Sequence, residues 1–383
     1  MSGEAPHNNW FEDNPGRTKL LVFVFCLLLV EGMVRIVVWA GLLPYERYPT
    51  SREPQYWSYI DPVVGIWRHP HADFVDEGRC YTTHYTSNSV GARDRERAIE
   101  SDARRRVVVL GDSFVEGYGY DESSRFTEIL EEKTRIEFMN WGTSGAFGTI
   151  QEWLLYESKV KAYDHSDVML FLLPDNDFKD NDPSEYGSDT YRPYLRKNGE
   201  GYEVYYPVAF EDRFTASRTM GQVIKNTLDN SVYILNALRL ANRIVTDRSK
   251  AAIPGAPRPT YEQYSDEDLE VFLYALAEIA QATQGKRLHL FLIPRPQDMA
   301  HAETVGYDFE LVRVLEDFAG RYGHVGFLDL LPGMLIYAED NSLNFEDFTL
   351  GCDGHWGRHG HEATAELVFD YFESAASATP RNP

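Results

Sequence analysis

Arg105-Arg106-Val107-Val108-Val109-Leu110-Gly111-Asp112-Ser113-Phe114 is the stretch on which the fold turns. Four consecutive apolar residues, three of them β-branched, run into Gly-Asp-Ser. That is the pattern of a buried parallel strand that stops abruptly with a hydroxyl at its carboxyl end. In open α/β sheets that end is where ligands and chemistry sit. A Gly-Asp-Ser tripeptide alone suits a polar turn equally well, so the weight falls on what recurs further along.

Strand and helix alternate from there, which predicts a mostly parallel sheet covered on both faces. After the first strand, Arg106 to Leu110, a helix is expected near Ser124 to Thr134. A second strand, Ile136 to Asn140, runs into Trp141-Gly142-Thr143-Ser144-Gly145, with a helix near Thr149 to Lys161. The third, Asp167 to Leu173, ends in Pro174-Asp175-Asn176-Asp177. Three such ends side by side make one site. The alternation breaks at about residue 178 and resumes after residue 262, so residues 178–262 read as an insertion forming a cap over one end of the sheet, the natural place for substrate selectivity. Within it, Arg192 to Tyr206 reads as a hairpin around Asn198-Gly199-Glu200-Gly201, Ala216 to Thr246 as helical, and Ala251 to Thr260 as a surface loop. Tyr191, Tyr194, Tyr202, Tyr205 and Tyr206 suit either stacking on sugar rings or, the favoured reading, cross-strand packing. A helix capped by Ser265 and Asp268 follows, running to Ala282. Arg287 to Ile293 is the fourth strand, His324 to Leu328 the fifth, and a last helix runs to about Ser374.

The closing segment Gly351-Cys352-Asp353-Gly354-His355-Trp356 supplies what a serine needs to attack an ester carbonyl. Such a serine requires a base for its proton, an acid to orient that base, and donors for the oxyanion. Ser113 is the expected nucleophile, His355 the base, and Asp353 the residue that holds the imidazole. The backbone N–H of Ser113, that of Gly142 and the side-chain amide of Asn176 are the expected oxyanion donors. His359 and His361 are alternative bases, but neither has an acidic residue two positions before it. Asp112 and Asp177 read as turn residues. The acidic run Asp175, Asp177, Asp180 and Asp182 reads as a solvated loop, with cation binding the lesser alternative.

Gly111-Asp112-Ser113, Gly142, Asn176-Asp177 and Asp353 with His355 stand in the order, and on the elements, of the SGNH, or GDSL, hydrolase superfamily, which residues 88–375 resemble. The resemblance implies a flavodoxin-like three-layer α/β/α fold with a five-stranded sheet, Ser-His-Asp chemistry on ester bonds and an oxyanion hole. Two departures stand out. Asp353 lies two residues before His355, where most members have three, and the Asp-x-His-Trp pattern resembles exported proteins of exopolysaccharide assembly, including the alginate O-acetyltransferase type. Pro174 replaces a common glycine. The function implied is a serine esterase or O-acyltransferase acting on extracytoplasmic carbohydrate through an acyl-Ser113 intermediate. A non-catalytic carbohydrate-binding or polysaccharide-assembly protein is the alternative.

The 383 residues carry a net charge of -23, which argues against nucleic acid and against an anionic membrane surface as partners. Three cysteines, Cys26, Cys80 and Cys352, form no Cys-x-x-Cys pair, so neither a zinc nor a thioredoxin-type site is expected. His69, His71 and His84 lack acidic or cysteine ligands at a familiar spacing and read as packing or surface residues. No cofactor is called for. If exported, Cys80 and Cys352 either pair, tying the arm to the catalytic loop, or stay as buried thiols.

Residues 1–19 read as a disordered tail and 20–43 as a transmembrane signal anchor. Glu31 and Arg35 interrupt that segment at an i, i+4 spacing, each costing on the order of 3 kcal/mol near a bilayer centre unless paired or met by a partner helix. A cleaved signal peptide ending at Val38-Trp39-Ala40 is the rival, and both readings export the rest. Residues 44–104 read as an arm packing on the main domain, 105–375 as that domain, and 376–383 as a disordered tail. An O-acyltransferase would need a membrane protein to deliver its acyl group, reached through the transmembrane helix.

Overall fold

The computed structural model describes residues 9–48, 56–78, 80–102, 105–186, 190–199, 201–213, 219–251 and 258–378. The chain divides into two compact units, one of Met1–Glu53 with Ser217–Pro254, the other of Pro54–Ala216 with Gly255–Pro383.

The larger unit is built on β1 (Arg106–Leu110), β2 (Glu137–Asn140), β3 (Asp167–Leu172), β4 (Arg287–Leu292) and β5 (Val325–Asp329). All neighbours are parallel, in the order β5-β4-β3-β1-β2. Every residue of β1 and β3 is buried, which explains why each is apolar after its first residue, Arg106 or Asp167: a central parallel strand has no solvent face. The order is the flavodoxin-like 2-1-3-4-5, whose switch point lies between β1 and β3; in sheets of this order ligands bind outside the carboxyl ends of the strands at that point. Besides a single turn at Pro183–Tyr186, its α-helices are α1 (Ser113–Glu116), α2 (Phe126–Thr134), α3 (Thr149–Ser158), α4 (Pro174–Asn181), α5 (Asp266–Ala282), α6 (Pro296–Thr304), α7 (Glu310–Gly320), α8 (Leu330–Asp340) and α9 (Arg358–Ala378) among the described residues. Helix α5 packs with α3 and α4, and α9 with α2 and α8, giving three layers around one apolar core. Ser265 caps α5 by accepting from the Asp268 N–H at 3.2 Å, as its sequence predicts.

The arm forms two antiparallel pairs, Tyr59–Asp61 with Gly65–Trp67 and Asp73–Glu77 with Thr82–Thr86. Val64, Trp67 and Ala92 enter the core of the sheet unit. The insertion does not form one body. Its hairpin, Tyr194–Asn198 with Gly201–Tyr205, stays with the sheet unit, where Leu195 packs with Ile150 of α3 and Ala275 of α5. Its tyrosines are used in packing: Tyr191 stacks on Tyr206 at 4.8 Å, and Tyr202 meets Tyr274 at 4.9 Å. Its helical part, Met220–Ser231 and Tyr233–Ala251, belongs to the other unit with the long helix Pro15–Trp39. The tails expected as disordered are helical at Trp10–Asp13, at 15–19, where the long helix begins five residues before the apolar stretch, and at 376–378, the end of α9; residues 1–8 and 379–383 lie outside the described residues.

Candidate active site

Ser113 opens a one-turn helix, where the sequence suggests a loop. Two neighbours cause this. Asp112 caps α1 by accepting the Phe114 N–H at 2.9 Å. Gly117, at φ 76°, closes it in the left-handed conformation and donates its N–H to the Ser113 carbonyl. The serine is thereby fixed at the end of β1, 7% exposed.

Histidine 355 arrives from the other end of the chain. Its loop is closed by a bridge between Thr349 and Trp356 and by a Leu350 N–H donated to the His355 carbonyl at 2.9 Å. His355 Nε2 lies 2.7 Å from Ser113 Oγ, and its Nδ1 lies against Asp353 Oδ1, which also accepts the His355 backbone N–H at 3.0 Å. A carboxylate only accepts, so the ring proton sits on Nδ1 and Nε2 is left to accept the serine hydroxyl. The rings of Phe114 and Tyr118 flank the imidazole at 5.1 and 4.6 Å. The same loop is tied down by a Cys80–Cys352 disulfide, whose Cα atoms are 5.8 Å apart, and by Arg295, which donates to the Gly354 carbonyl at 2.9 Å.

The three expected oxyanion donors are in different states. The Ser113 N–H is the first of its helix and has no intrahelical acceptor. The Asn176 amide donates to Asp112 Oδ2 at 2.8 Å, which uses one of its two N–H groups and orients the other. The Gly142 N–H is engaged: it donates to Asn140 Oδ1 at 3.0 Å, and Asn140 is itself anchored by donating to the Val115 carbonyl and the Thr127 hydroxyl. Glycine at 142 answers a packing need, since a Cβ there would stand 2.3 Å from the Glu116 backbone nitrogen.

Several groups around the site carry no motif in the sequence. Arg68 and Glu116 form a fully buried ion pair at 2.7 Å, and Glu116 also accepts from the Trp57 indole and the Ser144 N–H. Arg68 donates to the Gly142 carbonyl at 2.6 Å, so the arm reaches the oxyanion loop directly. Burial opposes the Glu116 charge, yet Arg68 and Arg93 hold its carboxyl below the ordinary range. Behind α1, Asp112, Glu152, Asp177 and Asp180 are buried together. Burial first, and mutual repulsion second, push Glu152 and Asp177 well above the carboxylate range, and Asp112 is pushed up to about 6. Among the described residues, neither Glu152 oxygen has a hydrogen-bond partner. The acidic run expected as a solvated loop is therefore corrected: Asp175, Asp177 and Asp180 lie on α4, with Asp177 and Asp180 buried. Arg295 was findable, because Pro294-Arg295-Pro296 follows β4 as Ser113 follows β1.

The alternative bases lie elsewhere. His361 is buried beside Phe126 and stacks on Tyr120 at 4.7 Å, while His359 faces Glu362 at 3.5 Å. Asp112 and Asp177 serve their backbone turns, Asp177 accepting the Leu173 N–H at 2.7 Å. Among the described residues, the carboxylates grouped closely enough for one ion are Asp94, Glu122 and Glu128, and these already face Arg97 and Arg125. His84 pairs with Asp73 at 2.9 Å.

No family model and no curated protein matches the sequence. Solved structures do. A member of the lipolytic G-D-S-L family from Veillonella parvula is 11% identical over 70% of this chain and 98% of its own, with a TM-score of 0.37. A GDSL-like lipase from Bacteroides thetaiotaomicron is 12% identical over 73% and 93%, TM-score 0.37. A carbohydrate esterase family 2 enzyme with a carbohydrate binding domain, from Corynascus thermopiles, is 11% identical over 77% and 71%, TM-score 0.37. In this chain itself, a serine at the switch point of a 2-1-3-4-5 sheet meets a histidine and an aspartate two residues apart on the closing loop, an arrangement that resembles that of the SGNH, or GDSL, hydrolase superfamily.

Proposed function

We propose that the protein is a serine enzyme that makes or breaks acyl esters on carbohydrate, with Ser113, His355 and Asp353 as its catalytic residues. The 2.7 Å contact between Ser113 Oγ and His355 Nε2, with Asp353 on the opposite ring nitrogen, carries this reading. Ser113 Oγ attacks the ester carbonyl while its proton passes to His355 Nε2, and Asp353 stabilises the imidazolium. The oxyanion is received by the Ser113 N–H and the second N–H of Asn176; Gly142 joins them only if its bond to Asn140 opens. Collapse expels the alcohol, which takes the proton from His355 and leaves the acyl group on Ser113. Water or a sugar hydroxyl, deprotonated by His355, then attacks the acyl carbon; collapse breaks the bond to Ser113 Oγ, which takes the proton back from His355, and releases the free acid or a new ester. An assembled triad favours catalysis over the carbohydrate-binding alternative.

The side chains of His355 and Asp353 are 24% and 29% exposed, so water can reach the acyl-enzyme unless an acceptor displaces it. The long helix Pro15–Trp39 is apolar and long enough to cross a bilayer, and it supports an anchored enzyme whose sheet unit faces the extracytoplasmic side. A membrane acyl-donor protein and the alginate O-acetyltransferase likeness belong to the transfer branch of this reading. The test follows acetyl release from an activated acetyl ester by the full-length protein in detergent, with and without an oligosaccharide acceptor, using Ser113→Ala as control. Acetyl passing to water at the same rate either way identifies a hydrolase. Acetyl appearing on the sugar with faster release identifies a transferase. Turnover no greater than that of the control would overturn the enzymatic reading.

A further inference from the structure

The helices Met220–Ser231 and Tyr233–Ala251 bury several polar residues while leaving large apolar ones exposed. On the first, the polar residues Asn226 and Asp229 are only 9% and 6% exposed, whereas Met220, Ile224 and Leu228 are 54%, 54% and 49% exposed. Those three stand at i, i+4 and i+8, so they form one stripe on one face. Leu235 and Leu238 of the second helix are 38% and 60% exposed. The buried polar face is fully used. Arg239 donates to Asp229 at 2.6 Å and to Asn226 at 3.1 Å, and Asn230 exchanges two hydrogen bonds with the Tyr48 backbone. Asn236 does the same with Glu46.

The junction of the two helices is held by the two charges that interrupt the apolar segment. Glu31 accepts the N–H groups of Tyr233 and Ile234, both at 3.0 Å, and so caps the second helix. Arg35 pairs with Glu31 at 2.8 Å and donates to the Ser231 carbonyl at 2.7 Å, which closes the first. Arg35 also lies over the Tyr233 ring at 4.4 Å. The charges that looked like a flaw in a membrane helix are a clamp. At about 1.5 Å rise per residue, Glu31 and Arg35 lie roughly 12 and 6 Å before Trp39, where the helix ends. With Trp39 at the bilayer surface, the clamp would set the junction roughly 6–12 Å in, close to the about 5–10 Å to which interfacial helices bury their apolar faces. Trp39, 88% exposed, stands where membrane proteins place aromatic residues.

We infer that Met220–Ser231 and the start of Tyr233–Ala251 form an interfacial hairpin that lays Met220, Ile224, Leu228 and Leu238 into the acyl boundary of the leaflet at the carboxyl end of the long helix. The inference rests on reading Pro15–Trp39 as membrane-spanning. The occupant is lipid, because the stripe is apolar along its length, with the exposed Lys225 beside it rather than in it, and is continuous, through the clamp, with a helix whose apolar window is wholly unburied. Full-length protein carrying Cys26→Ser is given Leu228→Cys, Ile224→Cys or, as a control in the span, Leu28→Cys. Each is labelled with an environment-sensitive fluorophore and reconstituted in phosphatidylcholine vesicles. The expected result is blue-shifted emission at all three positions, quenched by lipid-borne nitroxide and not by iodide. Lipid quenching at 28 with iodide quenching at 224 and 228 overturns the hairpin and leaves the span standing. Shielding of 224 and 228 from both quenchers points to a protein partner and also overturns it. A label at 28 that lipid nitroxide does not reach removes the span, and the hairpin with it.

Discussion

On the proposed mechanism Ser113 is activated by His355 and Asp353, which sit far away in the chain, and each can be removed singly. Ser113→Ala should lower acyl-ester turnover on the order of 10⁴-fold or more, with little change in Tm, because the hydroxyl is used towards His355 and not in packing. Asp353→Asn should cost on the order of 10⁴-fold by turning the imidazole to the wrong tautomer, measured as kcat with KM nearly unchanged. The buried pair gives the opposite signature. Glu116→Gln leaves Arg68 charged and without its buried partner, so about 3–5 kcal/mol of stability should be lost in a denaturant titration. At this scale the sequence was readable where chemistry is local: Asp353 and His355 are two residues apart, and Gly-Asp-Ser ends a strand. Arg68 and Glu116 are 48 residues apart, and nothing in either segment announces that they meet.

Strands were the most legible elements, because a buried parallel strand is dominated by a short, largely apolar run. The expected and observed limits of β1 agree, and those of β2 and β4 differ by a single residue at one end. The turn at Ser113 was less legible, since the capping by Asp112 and the left-handed Gly117 show only once the chain is folded. Gly142 shows how one element limits another. Gly142→Ala would press a methyl into the α1 backbone, so the loop after β2 must move, with a stability loss of about 1–3 kcal/mol and reduced turnover. The Cys80–Cys352 link holds the catalytic loop from outside. Cys352→Ser should cost about 2–4 kcal/mol, and turnover should fall with it because Asp353 is the next residue. Unchanged stability and turnover would show that the backbone pairs and Arg295 position the loop without it.

Across the whole molecule, acid is the natural probe, because groups buried against their charge respond in different windows. Burial first, and then Arg125 and Arg93, lower His361 to about 3 from an ordinary 6.5. The unfolded chain therefore binds its proton first, and stability present above pH 6.5 is lost as pH falls towards 3. By pH 5 this amounts to about 2 kcal/mol. His361→Gln should flatten the stability profile between pH 7 and 5 by that amount, read as the difference between the two profiles. Asp167 adds a lower window. Burial raises its carboxyl, but hydrogen bonds from His289, Arg105 and Ser166 outweigh that and hold it well below the ordinary range, so its contribution disappears below about pH 4. The division of the insertion between two units was the least legible feature, because a helical pattern states which face is apolar and not what that face meets. Reading Glu31 and Arg35 as a paired interruption was sound in its spacing, but the helix junction they clamp lies some 200 residues away. The most direct measurement of the catalytic claim is the mass of the peptide carrying Ser113 after brief exposure of the full-length protein to an activated acetyl ester and acid quenching. One acetyl group on Ser113, absent from His355→Ala, is the predicted result. An unmodified Ser113 in protein that still turns the ester over would contradict it.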